Sequence, residues 1–232
     1  MSKPSISAFF PCYNDANTIG DLVVKTNQIL LKITKNYEII VVNDGSRDNS
    51  LEILKQIQKT VKALKIVNHS KNRGYGGALQ SGFKNAGKEL IFYTDGDGQY
   101  DVSELPLLLS CLTDDIDVIN GIKIDRQDNN LRVFLGNAYK SVIRNIFNPP
   151  IYDIDCDFRL IRNKFMKKID LKINSGAVCL ELVKKLQLSG AHFREVSIHH
   201  FPRRFGQSQF FKIKPLFQTF FDLFYLIKLL NV

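Results

Sequence analysis

The chain has 232 residues, 44% of them apolar, with 32 Lys and Arg against 23 Asp and Glu and a formal net charge of +9. That length suits one large domain with or without a tail, and the composition, free of repeats and low-complexity tracts, excludes a disordered or solenoid chain. The positive charge favours phosphorylated substrates or anionic lipid as partners. It does not point to nucleic acid, because zinc-finger spacing, an RNP-type aromatic motif and a recognition helix are all missing.

Strand and helix signals alternate through the first half. Ser5–Phe10 reads as a strand and Thr18–Ile33 as a helix, with Ile19, Leu22, Val23, Ile29, Leu30 and Ile33 at helical spacing. The same reasoning gives strand Tyr37–Val42, helix Asn49–Lys59, strand Leu64–Asn68, helix Gly76–Ala86, strand Leu90–Thr94, helix Val102–Leu112 and strand Asp117–Gly121. This order predicts an α/β fold with a mostly parallel central sheet covered by helices on both faces, where ligands gather beyond the carboxyl ends of the strands. Met1-Ser-Lys-Pro-Ser5 leads straight into the first strand without an apolar signal segment, so the expectation is a cytosolic chain. Cys12, Cys111, Cys156 and Cys179 lie far apart and form no Cys-x-x-Cys pair. They read as buried thiols in a reducing compartment.

The loops after three strands carry the polar residues: Pro11-Cys-Tyr13-Asn14-Asp15, Asn43-Asp44-Gly45-Ser46, and Asp95-Gly-Asp97-Gly-Gln99. An extended tail would point Asp95 and Asp97 the same way. Two carboxylates and the Gln99 amide oxygen suit Mg2+ or Mn2+ with room for phosphate oxygens, which indicates an enzyme handling a nucleoside diphosphate. A calcium loop fails, because the position that demands Gly holds Tyr100 and the closing Glu is replaced by Pro106. Gly74-Tyr-Gly76-Gly77-Ala-Leu79 fails the dinucleotide pattern at Leu79 and opens the third helix instead of the first. It reads as small residues for close helix–sheet packing.

Beyond Gly121 the alternation stops. A polar loop and a helix over Leu131–Phe147 precede the strand Asp155-Cys-Asp157-Phe-Arg159-Leu-Ile-Arg162. A helix containing Glu181, a strand near Phe193–Ile198 and the basic segment His199-His200-Phe-Pro-Arg203-Arg204-Phe-Gly206-Gln-Ser208 follow.

These motifs, in this order, resemble family 2 glycosyltransferases, nearest the polyprenyl-phosphate branch that includes dolichol-phosphate mannose synthases and undecaprenyl-phosphate sugar transferases. Asp-x-Asp alone is a weak signal; the ordered set over residues 5 to 210 is a strong one. The resemblance implies the GT-A fold, a nucleotide-sugar donor (GDP- or UDP-sugar), Mg2+ or Mn2+, and inversion at the anomeric carbon. By the same resemblance, Pro11, Tyr13, Asn14 and Asp15 would wall the base and ribose pocket, and Asp44 would accept a hydrogen bond from base or ribose. Asp95, Asp97 and Gln99 would hold the metal, while Arg203 or Arg204, with Ser208, would close over the phosphates. Glu181 stands where hydroxyl-using relatives carry a base, although Leu182 replaces the second acid often found there. Arg126 and Arg132 are candidates for an acceptor phosphate, and Arg159 is expected to pair with Asp155 or Asp157.

Two acceptors therefore stay open, polyprenyl phosphate and a glycan hydroxyl. A nucleotidyltransferase is disfavoured because Phe10-Pro-Cys-Tyr13 stands where a Gly-rich loop with Arg would be; a non-catalytic scaffold would need no metal acids. Residues 1–209 are expected to form the catalytic domain and 210–232 an amphipathic helix. Its apolar stretch Leu216–Leu230 would reach roughly 22 Å, short of a ~30 Å hydrocarbon core. It suits an anionic membrane surface at the cytosolic face, with Arg203, Arg204, Lys212 and Lys214 toward headgroups; otherwise a membrane-anchoring partner protein would bring the chain to lipid.

Overall fold

The computed structural model describes residues 3–124, 141–205 and 213–230, with side chains from 217 onward in the last segment. In chain order the elements are β1 (Ile6–Cys12), α1 (Ile19–Ile33), β2 (Tyr37–Asn43), α2 (Ser50–Gln58), β3 (Leu64–Asn68), α3 (Tyr75–Asn85) and β4 (Leu90–Thr94). A 3-10 turn (Val102–Glu104), α4 (Leu105–Ser110), β5 (Val118–Ile124) and a helical stretch α5 (141–147) follow. The chain continues through β6 (Phe158–Arg162), α6 (Asn163–Met166), α7 (Val178–Leu188), β7 (Phe193–His199) and α8 (Ile213–Leu230).

The strands form one sheet in the order β3-β2-β1-β4-β6-β5-β7. Pairings β2–β3, β1–β2, β1–β4 and β5–β7 are parallel, whereas β6 runs antiparallel to both β4 and β5. The sheet is thus mostly parallel, as expected, with one reversed strand that the local pattern did not predict. Because β6 is reversed, its first residues lie at the same rim as the last residues of β4 and β5.

Alternation along β1 shows why both faces are covered. Ile6, Ala8 and Phe10 join one buried cluster with Leu22, Val23, Leu54 and Leu105, so α1, α2 and α4 lie on that face. Phe9 joins the other with Leu79, Phe83, Val183 and Leu226, so α3, α7 and α8 lie on the opposite face. Strands buried on both faces need continuous apolar sequence, which Ile39–Val42 and Leu90–Tyr93 supply.

The Gly74–Gly77 cluster has a different task from the one expected. A Cβ on Gly76 would sit 2.1 Å from the Ile173 carbonyl oxygen, so this glycine admits the backbone of the loop before α7, not the sheet. The Gly76 N–H donates to Asn174 O at 2.9 Å and locks that seat. Of the cysteines, Cys12, Cys156 and Cys179 are buried, while Cys111 is only half-buried. Burial pushes the Cys12 and Cys156 thiols up to about 12, so they are inert apolar packing.

Candidate active site

Parallel pairing brings the ends of β1, β2 and β4 to one rim, where hydrogen bonds stitch the loops together. Asp44 N–H donates to Cys12 O at 2.9 Å. Asn14 N–H donates to Ser46 Oγ at 3.0 Å, and Asn14 Oδ1 accepts from Arg47 N–H at 2.7 Å. Asn14 sits at φ 58, a left-handed conformation that Asn tolerates, so it acts as a brace between two loops. Asp48 Oδ2 accepts from Ala16 N–H at 3.0 Å, and its Oδ1 accepts from Ser50 N–H at 3.0 Å.

Between these loops lies a cleft of about 380 Å³ lined by Tyr13, Asn43, Gly45, Arg47, Asn68 and Asn72, among others. Tyr13 stands at its wall. Pro11 is buried in β1, and its carbonyl oxygen is 2.6 Å from where a Cβ on Gly96 would lie, so only glycine fits in the turn after β4.

Asp44 departs from its expected role. It is buried, with Oδ1 2.6 Å from His69 Nδ1 and accepting from Arg73 N–H at 2.9 Å, while Oδ2 accepts from Gly74 N–H at 3.1 Å. It therefore shapes the β3–α3 loop instead of presenting a free carboxylate to a base. His69 Nε2 lies 2.9 Å from Ser81 Oγ, but that hydroxyl sits mid-helix and donates to Gly77 O at 3.0 Å. The arrangement is a packing brace and lacks the exposure a nucleophile requires.

The acidic corner forms directly after β4. Residues 95–98 make a turn, not an extended tail, with Gly98 at φ 77. Asp95 Oδ1 accepts from Tyr75 Oη–H at 2.8 Å. Asp97 is buried; its Oδ1 accepts from Gln99 N–H at 3.0 Å, and its Oδ2 is paired closely with the Arg203 guanidinium. Burial, then the neighbouring Asp157 and Asp97, hold the Asp95 carboxyl well above the usual range. Burial also raises Asp97 against the opposing pull of Arg203. Asp15, whose Oδ1 is 4.0 Å from Arg203, is pushed up to about 6, mainly by burial.

Arg203 is delivered by the segment after β7. His199 Nδ1 meets Glu104 Oε1 at 2.7 Å, Tyr100 and His200 form a β-bridge, and Phe201 N–H donates to Gln99 O at 2.8 Å. The Gln99 side-chain N–H donates to Phe201 O at 3.0 Å. That leaves its amide oxygen, the atom a metal would use, without a partner among the described residues.

These residues fit a divalent cation. Hard oxygen donors crowd together, burial and the neighbouring carboxylates raise their carboxyls, and a guanidinium serves as counter-ion to Asp97. Among the described residues no three His, Cys, Asp or Glu side chains converge to hold an ion by themselves. Two carboxylates completed by substrate phosphates is the usual arrangement for Mg2+.

Two buried residues carry charge nearby. Arg159 is fully buried, and neither Asp155 nor Asp157 receives it directly as expected. Its Nε donates to Asn120 Oδ1 at 2.6 Å, one terminal nitrogen to Tyr93 Oη at 2.6 Å, and the other to the carbonyls of Ile154 and Cys156 at 3.0 and 3.3 Å. Tyr93 Oη–H then donates to Asp157 Oδ1 at 3.2 Å. The hydroxyl thus relays the cation to Asp157, a corner residue that sequence reasoning had assigned only to pairing. The Asp-x-Asp-Phe-Arg spacing at the start of a strand was the available signal.

Glu181 is corrected outright. It is 0% exposed, and its carboxylate accepts from Lys172 N–H at 2.8 and 3.0 Å, from Ile173 N–H at 2.9 Å and from Lys185 Nζ at 2.6 Å. A carboxylate so enclosed cannot take a proton from an acceptor hydroxyl; it ties α7 to the loop that seats Gly76. Arg204 is exposed. Arg126, Arg132 and Ser208 lie outside the described residues.

Comparison with known proteins supports this picture. The model of glycosyl transferase family 2 matches residues 7–170. An undecaprenyl-phosphate 4-deoxy-4-formamido-L-arabinose transferase of Yersinia enterocolitica is 27% identical over 220 residues, which are 94% of this chain but 66% of that protein, just under two thirds of its length. A glucosyl-3-phosphoglycerate synthase from Mycobacterium tuberculosis, solved with Mn2+, UDP and glucosyl-3-phosphoglycerate, superimposes with TM-score 0.70 at 14% identity, over 99% of this chain and 81% of that one. A mannosyltransferase from Pyrobaculum calidifontis, in complex with GDP-Man and Mn2+, gives 0.69 at 16% identity over 97% and 65%. The structural likenesses establish the GT-A fold. Ordered motifs, sheet topology and family match agree, and the chain belongs to glycosyl transferase family 2.

Proposed function

We propose that the protein transfers a sugar from a nucleoside diphosphate onto a polyprenyl phosphate, with inversion and with Mg2+ or Mn2+, at the cytosolic membrane face. The observation that carries the reading is the crowded acidic corner beside the cleft, where Asp95 and Asp97 are held above their ordinary pKa and countered by Arg203. Asp95, Asp97 and the Gln99 amide oxygen would hold the metal, which when bound supplies Lewis-acid stabilisation of the departing diphosphate. Tyr13 would wall the base, and the Asn14–Ser46 and Asp15–Ser50 contacts hold that wall rigid. Arg203 would exchange Asp97 for donor phosphate, for which a guanidinium fork is suited.

The enclosed Glu181 weighs toward one of the two acceptors. A hydroxyl needs a base, whereas a phosphate monoester is already anionic and needs only positioning. Removing Glu181 from the candidate bases favours the phosphate acceptor, and the chemistry named for the Yersinia relative is of that type. The test supplies UDP- and GDP-sugars with Mn2+ and either undecaprenyl phosphate or an oligosaccharide. A lipid product that is labile to mild acid and carries no nucleotide is expected. Sugar added only to the oligosaccharide would overturn the acceptor assignment.

A further inference from the structure

Asp95, Asp97 and Asp157 crowd one corner, and each is held differently. Asp97 takes the Gln99 N–H and the Arg203 guanidinium. Asp157 takes the Tyr93 hydroxyl at 3.2 Å and the Cys179 thiol at 3.3 Å. Asp95 has a single hydrogen-bond donor among the described residues, the Tyr75 hydroxyl, 2.8 Å from Oδ1. Asp95 is half-buried, and its Oδ2 has no hydrogen-bond partner among those residues. The orientation of this acid therefore hangs on one neutral side chain.

Tyr75 sits in a seat built from two sides. It is the first residue of α3, and Gly74 before it takes φ 84, which turns the chain into the helix. Gly74 N–H donates to Asp44 Oδ2 at 3.1 Å, and Gly76 N–H donates to Asn174 O at 2.9 Å. The loop that carries Asn174 is held in turn by Glu181, through the N–H groups of Lys172 and Ile173. The ring packs against the cluster that contains Phe83, Val178 and Cys179. Asp44 and Glu181, the two acids enclosed by the fold, thus brace the glycines on either side of one tyrosine.

A phenol suits this position. It donates one hydrogen bond to a carboxylate and brings no charge. It can fix the rotation of Asp95 while leaving the negative charge for a cation, whereas a lysine or arginine there would compete with the ion. One carboxylate oxygen is held, and the other is left for a ligand. We infer that Tyr75 is a positioning residue for the metal, its hydroxyl holding Asp95 in the orientation that receives the divalent cation. The inference rests on the reading of Asp95 and Asp97 as the metal-holding acids and adds the residue that sets the affinity of their site.

The test titrates Mn2+ into the full chain with UDP or GDP present, reading the free ion by electron paramagnetic resonance, for wild type, Tyr75→Phe and Asp97→Ala. Phenylalanine keeps the ring in its packing, so Tyr75→Phe should retain the wild-type thermal midpoint. Its Mn2+ dissociation constant should rise about tenfold or more, with nucleotide affinity measured without metal unchanged. In sugar transfer the same variant should need correspondingly more Mn2+ for half-maximal rate, and excess Mn2+ should recover most of the turnover. Wild-type Mn2+ affinity in Tyr75→Phe while Asp97→Ala loses the ion would overturn the positioning role and leave the metal corner standing. Affinity untouched in both variants would sink the metal corner and the role of Tyr75 with it. Equal losses of Mn2+ affinity and of metal-free nucleotide affinity in Tyr75→Phe would show that the β3–α3 loop had moved, and would also overturn the inference.

Discussion

Glu181 and the Asp95–Asp97 corner are both carboxylates withdrawn from water, yet the fold treats them oppositely. Glu181 has backbone N–H groups and a lysine converging on it. In the corner, Asp95 and Asp97 repel each other and Asp157, and the chief positive charge is an arginine carried in on a separate segment. A buried charge whose partners all belong to the fold is architecture. One left short of positive charge is prepared for a cation that arrives with substrate.

The largest effect that would break this comparison lies at Asp97. Asp97→Ala is expected to lower sugar transfer by roughly a thousandfold. Its thermal midpoint should stay within about 4 °C of wild type, because a repelling group is removed. Glu181→Ala should do the reverse: a loss of about 3 kcal/mol, or roughly 6–12 °C in midpoint, with kcat of the folded fraction within a few-fold of wild type. A catalytically dead but fully stable Glu181→Ala would restore it as a base and dissolve the contrast.

The pH dependence sharpens the same point. Asp15 has a folded value of about 6 against an ordinary 3.8, so between those values the native state binds more protons than the unfolded one. That term therefore favours folding at low pH and is lost as pH rises through 6. The stability difference between wild type and Asp15→Asn, from urea titrations at pH 5 and 7.5, should shift by about 1.4 kcal/mol against wild type at the higher pH. Deprotonation of Asp95 and Asp97 must accompany metal loading, so calorimetry of Mn2+ with nucleotide should show weaker binding and greater proton release toward pH 5.5. The smallest effect belongs to Tyr93→Phe, which breaks the relay from Arg159 to Asp157. A loss of about 1–2 kcal/mol is expected from denaturant titration.

What could be read from sequence was what neighbouring residues encode. The strands Leu90–Thr94 and Tyr37–Asn43, the turn glycines and the acidic loop all announce themselves within a few positions. The uses of Asp44 and Arg159 were hidden because partners come from elsewhere in the chain: Arg73 for Asp44, Asn120 and Tyr93 for Arg159. For Glu181 the Lys185 partner four residues on was legible, but the backbone amides of Lys172 and Ile173 were not. A carboxylate in the strand-end pattern Asn-Asp-Gly-Ser looks the same whether it faces a ligand or a distant backbone amide. The direction of β6 was hidden for a related reason, since apolar residues alternate equally well in either orientation.

That reversal has a consequence for how such a protein can change. β5 ends and β6 begins at the rim that carries the acidic corner. Asn120 Nδ2 donates to Asp153 O at 2.9 Å and Lys123 N–H to Asp153 Oδ2 at 3.2 Å, fastening the chain between the two strands. The chain between them also places Ile143, Phe147, Ile151 and Ile154 in the buried core, so it holds the sheet as well as linking two strands. The stretch of chain beside the acidic corner is therefore inseparable from the scaffold, and changes within residues 151–157 should cost stability as well as activity.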